Sequence, residues 1–77
     1  MSNLNFYRNQ YQEAVVDYEL IKAGAEVVLC RMVQSGEIDT DKVMEIGKAI
    51  ENAKSSVSYR ERDLKKAEAE EGGSENA

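Results

Sequence analysis

The sequence predicts an all-α fold: two long antiparallel helices closed into a coiled-coil-like hairpin, with two hairpins pairing into a four-helix bundle. Three observations predict it. Apolar residues recur at alternating steps of three and four along two segments of similar length. A single glycine-centred break separates those segments, and proline, the strongest interrupter of a helix, is absent.

The first segment carries Leu4, Tyr7, Tyr11, Ala14, Tyr18, Ile21, Ala25, Val28 and Met32, an unbroken seam over four heptads. Steps of three and four keep these side chains on one side of an α-helix, and no stretch alternates with the period of two that a strand needs. A helix over about 4–35 follows. Gly36 suits the left-handed position just past its end, and residues 36–40 form the turn. Asp39 or Thr40 can cap the next helix, with Asp41 favourably placed at its positive end. If Asp39 is the cap, Ile38 and Val43 occupy the two positions of a hydrophobic staple.

The second helix, over about 41–70, repeats the seam with Val43, Ile46, Ile50, Ala53, Val57, Arg60, Leu64 and Ala67. Arg60 interrupts it, and Ser55, Ser56 and Ser58 lower the local helix propensity. Its last turns gain support from Glu61 with Lys65 and from the reversed pair Lys66 with Glu70, each one turn apart. Residues 71–77 (EGGSENA) lack an apolar period and read as a disordered acidic tail. At about 1.5 Å per residue the two helices span about 48 and about 45 Å, a match that favours antiparallel pairing across a short turn.

Composition narrows the function. A chain of 77 residues is one small domain, too short for a two-domain enzyme or most cofactor-binding α/β folds. It has no His and one Cys, which excludes His-based acid–base chemistry, Cys–His nucleophiles, zinc sites of the Cys/His kind and an internal disulfide. No cofactor is expected. The formal charge of −5 disfavours nonspecific nucleic-acid binding, which needs basic residues to displace counterions. Met1-Ser2-Asn3 opens without a basic leader, and the longest clean apolar run, Val27 to Cys30, is far below the roughly 18–20 residues of a membrane span. A cytoplasmic protein without a membrane partner is the expectation.

The first helix carries more apolar surface than a hairpin uses. Val15, Val16, Leu20, Val27, Leu29, Cys30 and Val33 stand beside its seam. A helix apolar on several faces is covered by more than one neighbour, and small domains without staples or metal gain stability by oligomerising. Phe6, Val16, Leu20, Val27 and Val33 are therefore the candidate interface, used either for a homodimer or for docking on another protein. Ala14, Ala23, Gly24 and Ala25 allow close helix approach.

Chemical motifs fail on inspection. Asp39-Thr40-Asp41 begins like a calcium loop, but Val43 and Met44 stand where an oxygen ligand and a glycine belong. Gly47-Lys48 ends like a phosphate loop without its upstream glycine. Glu13 and Asp17 share a helix face but lack the histidines that complete carboxylate metal sites in bundles. Cys30 reads as a small buried hydrophobe. Phe6, the tyrosines, Arg8 and the nearby amides have the chemistry to stack on and hydrogen-bond unpaired bases, though Tyr7, Tyr11 and Tyr18 are first of all seam residues. Phe6 lies off the seam, free to contact a partner or to cap the end of the core. Arg60, Arg62, Lys65 and Lys66 form one basic cluster beside Tyr59 and, with Arg8, are the candidate polar contacts.

No motif identifies a family. In shape alone the hairpin resembles small plasmid and phage proteins that dimerise into four-helix bundles, including the RNA-binding repressor-of-primer type, and no functional residue carries over. The leading expectation is a noncatalytic protein that self-associates and docks on and modulates a larger, unidentified protein, as an accessory regulator, inhibitor or assembly chaperone. The alternatives are an RNA-binding bundle and an acidic decoy of a nucleic-acid-binding protein.

Overall fold

Gly36 reverses the chain. It adopts the left-handed conformation (φ 75°, ψ 1°), and its N–H donates to the Met32 carbonyl at 2.9 Å. A residue without Cβ takes that conformation at little cost, so the helix ends where the glycine stands. Around it the Ser35 hydroxyl donates to the Met32 carbonyl and accepts from the Glu37 N–H, both at 3.2 Å. Three residues later Asp39 starts the second helix. Its carboxylate accepts from the Lys42 N–H at 3.1 Å while its carbonyl accepts from the Val43 N–H at 3.0 Å. Asp39, not Thr40, is therefore the cap, and Asp41 lies in the first turn.

This computed structural model describes residues 3–76, with side chains for residues 3–71. Two helices make up the fold, α1 (Leu4–Ser35) and α2 (Thr40–Asn76), packed along each other as a hairpin. No strand occurs among the described residues. The hairpin is a rod of 62 × 15 × 14 Å with a radius of gyration of 17.9 Å. A compact domain of this length has a radius near 11.5 Å.

The end of α2 departs from the expected stop at about residue 70: its backbone remains helical to Asn76. No proline interrupts it, and the Ala- and Glu-rich run from Ala67 to Glu71 consists of strong helix formers that carry the hydrogen-bond ladder into Gly72 and Gly73. Ala77, the last residue of the expected tail, lies outside the described residues.

The expected seam is the core. On α1, Ala14 and Ala25 are buried, and Leu4, Tyr7, Tyr11, Tyr18, Val28 and Met32 are half-buried. On α2, Ala53 is buried, and Ile46, Ile50, Val57, Arg60, Leu64 and Ala67 are half-buried. Ile21 and Val43 are the most open seam members, at 37% and 38% exposure. Small and large residues share the grooves between the helices: Ala14, Ile21, Ala53 and Arg60 line one, and Tyr7 and Ala67 another. Among the described residues the three that are buried are all alanines. Two helices alone cannot enclose a large side chain, so the bulky seam residues keep one flank in solvent.

Candidate interaction surface

Helical geometry separates the apolar residues of α1 into two sets. At about 100° per residue, Val16, Leu20, Ala23, Val27 and Cys30 form a second ladder about 160° around the helix from the seam. Phe6 stands further toward the N-terminus on that same outer face, and Val33 flanks it. All are exposed: Phe6 57%, Val16 56%, Leu20 66%, Val27 53% and Val33 74%, with Ala23 and Cys30 also in the exposed class. The candidate interface residues thus lie together on the side of α1 facing away from α2. Cys30 corrects the expectation of a buried hydrophobe: it belongs to the outer ladder, where α2 does not reach. Phe6 does not close the end of the core. Its ring meets Tyr7 edge-on, with centroids 5.4 Å apart and planes at 79°, and more than half of it stays in solvent.

The outer side of α2 is different. Among its large apolar residues only Met44 (62%) and Tyr59 (58%) project fully from it, one near the turn and one midway along. Between residues 55 and 69 its outward positions hold Ser55, Ser58, Tyr59, Arg62, Lys65, Lys66 and Ala69, with Glu61 and Glu68 on the flank. The structure thus divides the expected basic cluster. Arg62, Lys65 and Lys66 share the outward face of α2, whereas Arg60 is a half-buried seam residue beside Glu13, Ala14 and Asp17. The Arg60 guanidinium also lies 6.0 Å from the centre of the Tyr59 ring. Lys65 makes the expected pair with Glu61 at 3.1 Å, while no Lys66–Glu70 pair forms among the described residues. Arg8 is on α1 and exposed. Ile38 and Val43, at the staple positions, stay 58% and 38% exposed.

Enclosed space is scarce. One groove, about 410 Å³, runs between the helices past Ala14, Asp17, Ala53 and Arg60 and is open to solvent. Among the described residues no three carboxylate or thiol side chains converge as a cation site, and no helix is long and apolar enough to cross a membrane. The fold and its surfaces define a two-helix hairpin with one exposed apolar face and one exposed basic stripe. Comparisons with family models, with curated proteins and with solved structures return no match to this chain.

One part of the surface escaped the sequence reading. Val16, Leu20, Val27, Cys30 and Val33 are visible in the sequence as apolar excess, but Ala23 is read only as a small residue and the regular ladder it joins is not seen. The signal lies in the steps from Val16 to Cys30, which run four, three, four and three. A second heptad register is offset from the first, and the two interleaved make residues 27–33 look apolar on every side.

Proposed function

We propose that this chain is a noncatalytic interaction protein: a helical hairpin that self-associates through the outer face of α1 and docks, as a pair, on a larger protein that it modulates. The observation carrying this reading is the exposed ladder of α1 with its flanking Val33: Val16, Leu20, Val27 and Val33 are each more than half in solvent. Such side chains contribute about 1.5–3 kcal/mol each when fully buried, and contiguous apolar patches of this kind mark interaction sites. The area points the same way. The hairpin exposes 6173 Å², against about 4,700 Å² for a compact monomer of its mass. A standard interface removes about 800 Å² per partner, well within that excess.

The outward stripe of α2 favours an anionic surface as the second contact. Tyr59, Arg62 and Lys66 stand there, with Lys65 paired to Glu61 on the flank and Glu51 sharing the surface groove of Tyr59 and Arg62, and an acidic protein face fits the remaining cations. RNA is the second reading of the same stripe, since aromatic and basic side chains together stack on bases and pair with phosphate. RNA affinity that falls steeply with salt supports that alternative, and no binding at low salt excludes it. Self-association is tested by light scattering of the purified chain over a tenfold concentration range. A stable mass near twice 8.6 kDa supports the reading, and a folded monomer throughout overturns it.

A further inference from the structure

We infer that the partner on the outer face of α1 is a second copy of this chain, laid antiparallel so that the two α1 helices cross near Gly24 and the α2 helices lie outermost. This rests on the self-association reading and adds its geometry.

The ladder and the seam lie on nearly opposite sides of α1. A neighbour on the ladder therefore extends the hairpin into a row, α2–α1–α1–α2, and does not close a square bundle. The flanks of the seam on α2 agree, because Gly47, Ala49, Lys54, Ser56, Glu61 and Asp63 offer small or polar side chains where a square bundle needs apolar ones.

A heptad ladder admits only discrete registers, one repeat apart, and charge distinguishes them. With the copies antiparallel about Gly24, Leu20 faces Cys30 of the second copy and Ala23 faces its Val27. On one edge Asp17 then meets Arg31 of the second copy, twice by symmetry, and the two Gly24 residues meet at the axis. On the other edge a single like-charged pair forms, Glu26 with its own copy. Sliding by one heptad toward the N-terminus sets Glu13 against Cys30 in the ladder and opposes Glu19 to Glu26 twice. A parallel pair stacks Glu13 on Glu13 inside the ladder. Of these three arrangements, the register about Gly24 is the one that sets no carboxylate against an apolar rung and gains opposite charges beside the ladder.

Gly24 supplies a second, independent observation. A Cβ added there meets nothing within 4 Å in the hairpin, so packing against α2 does not require a glycine, although a glycine inside a helix is less favourable than alanine. At the crossing of two helices it permits close approach. Gly47 on α2 is equally open, and neither the hairpin nor the pairing explains it. Asp17 and Arg31 form no ion pair within the hairpin among the described residues, although Asp17 shares the groove between the helices with Arg60.

The test uses the native thiol of the full-length chain. In the antiparallel register the two Cys30 residues are separated by about 15 Å along the helices, whereas Leu20→Cys places a thiol opposite Cys30 of the second copy. Under mild oxidation L20C is expected to couple, with proteolytic mapping showing a 20–30 link, while the unmodified chain stays uncoupled. Charge reversal gives a readout that does not depend on the thiols. Asp17→Arg and Arg31→Asp should each weaken the dimer about five- to tenfold, and the double reversal should restore it. A dimer of the unmodified chain that couples readily through Cys30 overturns the antiparallel geometry. So does a dimer in which L20C fails to couple and the double reversal fails to restore affinity. A folded monomer at all concentrations overturns self-association itself.

Discussion

The two helices of this hairpin share one seam and differ on their backs. The seam of α1 alternates Tyr, Ala, Ile and Val, that of α2 Ile, Val, Leu and Ala, and each presents half-buried side chains to the other. Behind the seam, α1 carries Val16, Leu20, Ala23, Val27 and Cys30, and α2 carries Ser55, Tyr59, Arg62 and Lys66. A helix with one apolar stripe is satisfied by one neighbour, and a helix with two stripes is satisfied only by two. The hairpin uses every stripe of α2 and half of those of α1. On the proposed reading that difference gives the first helix to assembly and leaves the outer side of the second for contacts with other molecules.

The sharpest way to break the comparison lies in two alanines two residues apart. Ala25 is buried in the seam, at 6% exposure, and Ala23 is exposed on the ladder. Ala25→Asp buries an unpaired charge between the helices, at a cost of about 3–5 kcal/mol, and is expected to abolish the cooperative thermal transition followed by circular dichroism. Ala23→Asp should keep the helical spectrum while light scattering shows loss of the dimer. Matching effects of the two substitutions would erase the distinction between seam and ladder.

Within the seam the effects are smaller, because two helices enclose little. Ile50→Ala is expected to cost about 1–2 kcal/mol in urea unfolding, below the 2–5 kcal/mol typical of a fully buried isoleucine. At the turn, Asp39→Ala removes the cap on the Lys42 N–H, and Gly36→Ala forces a side chain into the left-handed region. Each should lower the urea midpoint by the equivalent of about 1 kcal/mol without changing the mass. Glu61→Gln removes the surface pair with Lys65 and should cost only a few tenths of a kcal/mol, vanishing in high salt.

Much of this was legible in the sequence, for a physical reason. A seam written in steps of three and four specifies which side of a helix is covered, and the seam residues read that way are buried or half-buried except Ile21 and Val43. The turn was equally plain, since Gly36 and Asp39 do what their backbone and side-chain chemistry favour. The far end of α2 was less so: composition marked 71–77 as a tail, yet without proline nothing stops the backbone ladder before Asn76. The basic cluster was legible as composition but not as geometry. Arg60 differs from Arg62 by only two positions, and those two positions carry it from the outer face into the seam. The ladder of α1 was seen as surplus apolar residues, and its regularity emerged only when the seam had been subtracted.

The most direct measurement compares the two outer faces by solution mass. Leu20→Asp with Val27→Asp places four carboxylates in the proposed interface, and Met44→Asp with Tyr59→Asp places the same charges on the back of α2. Both double variants should retain the helical spectrum. Light scattering at matched concentrations is expected to give the first a mass near 8.6 kDa and to leave the second near twice that value. A dimer that survives on α1 and fails on α2, or equal masses for both variants, would contradict the assignment of the first helix to self-association.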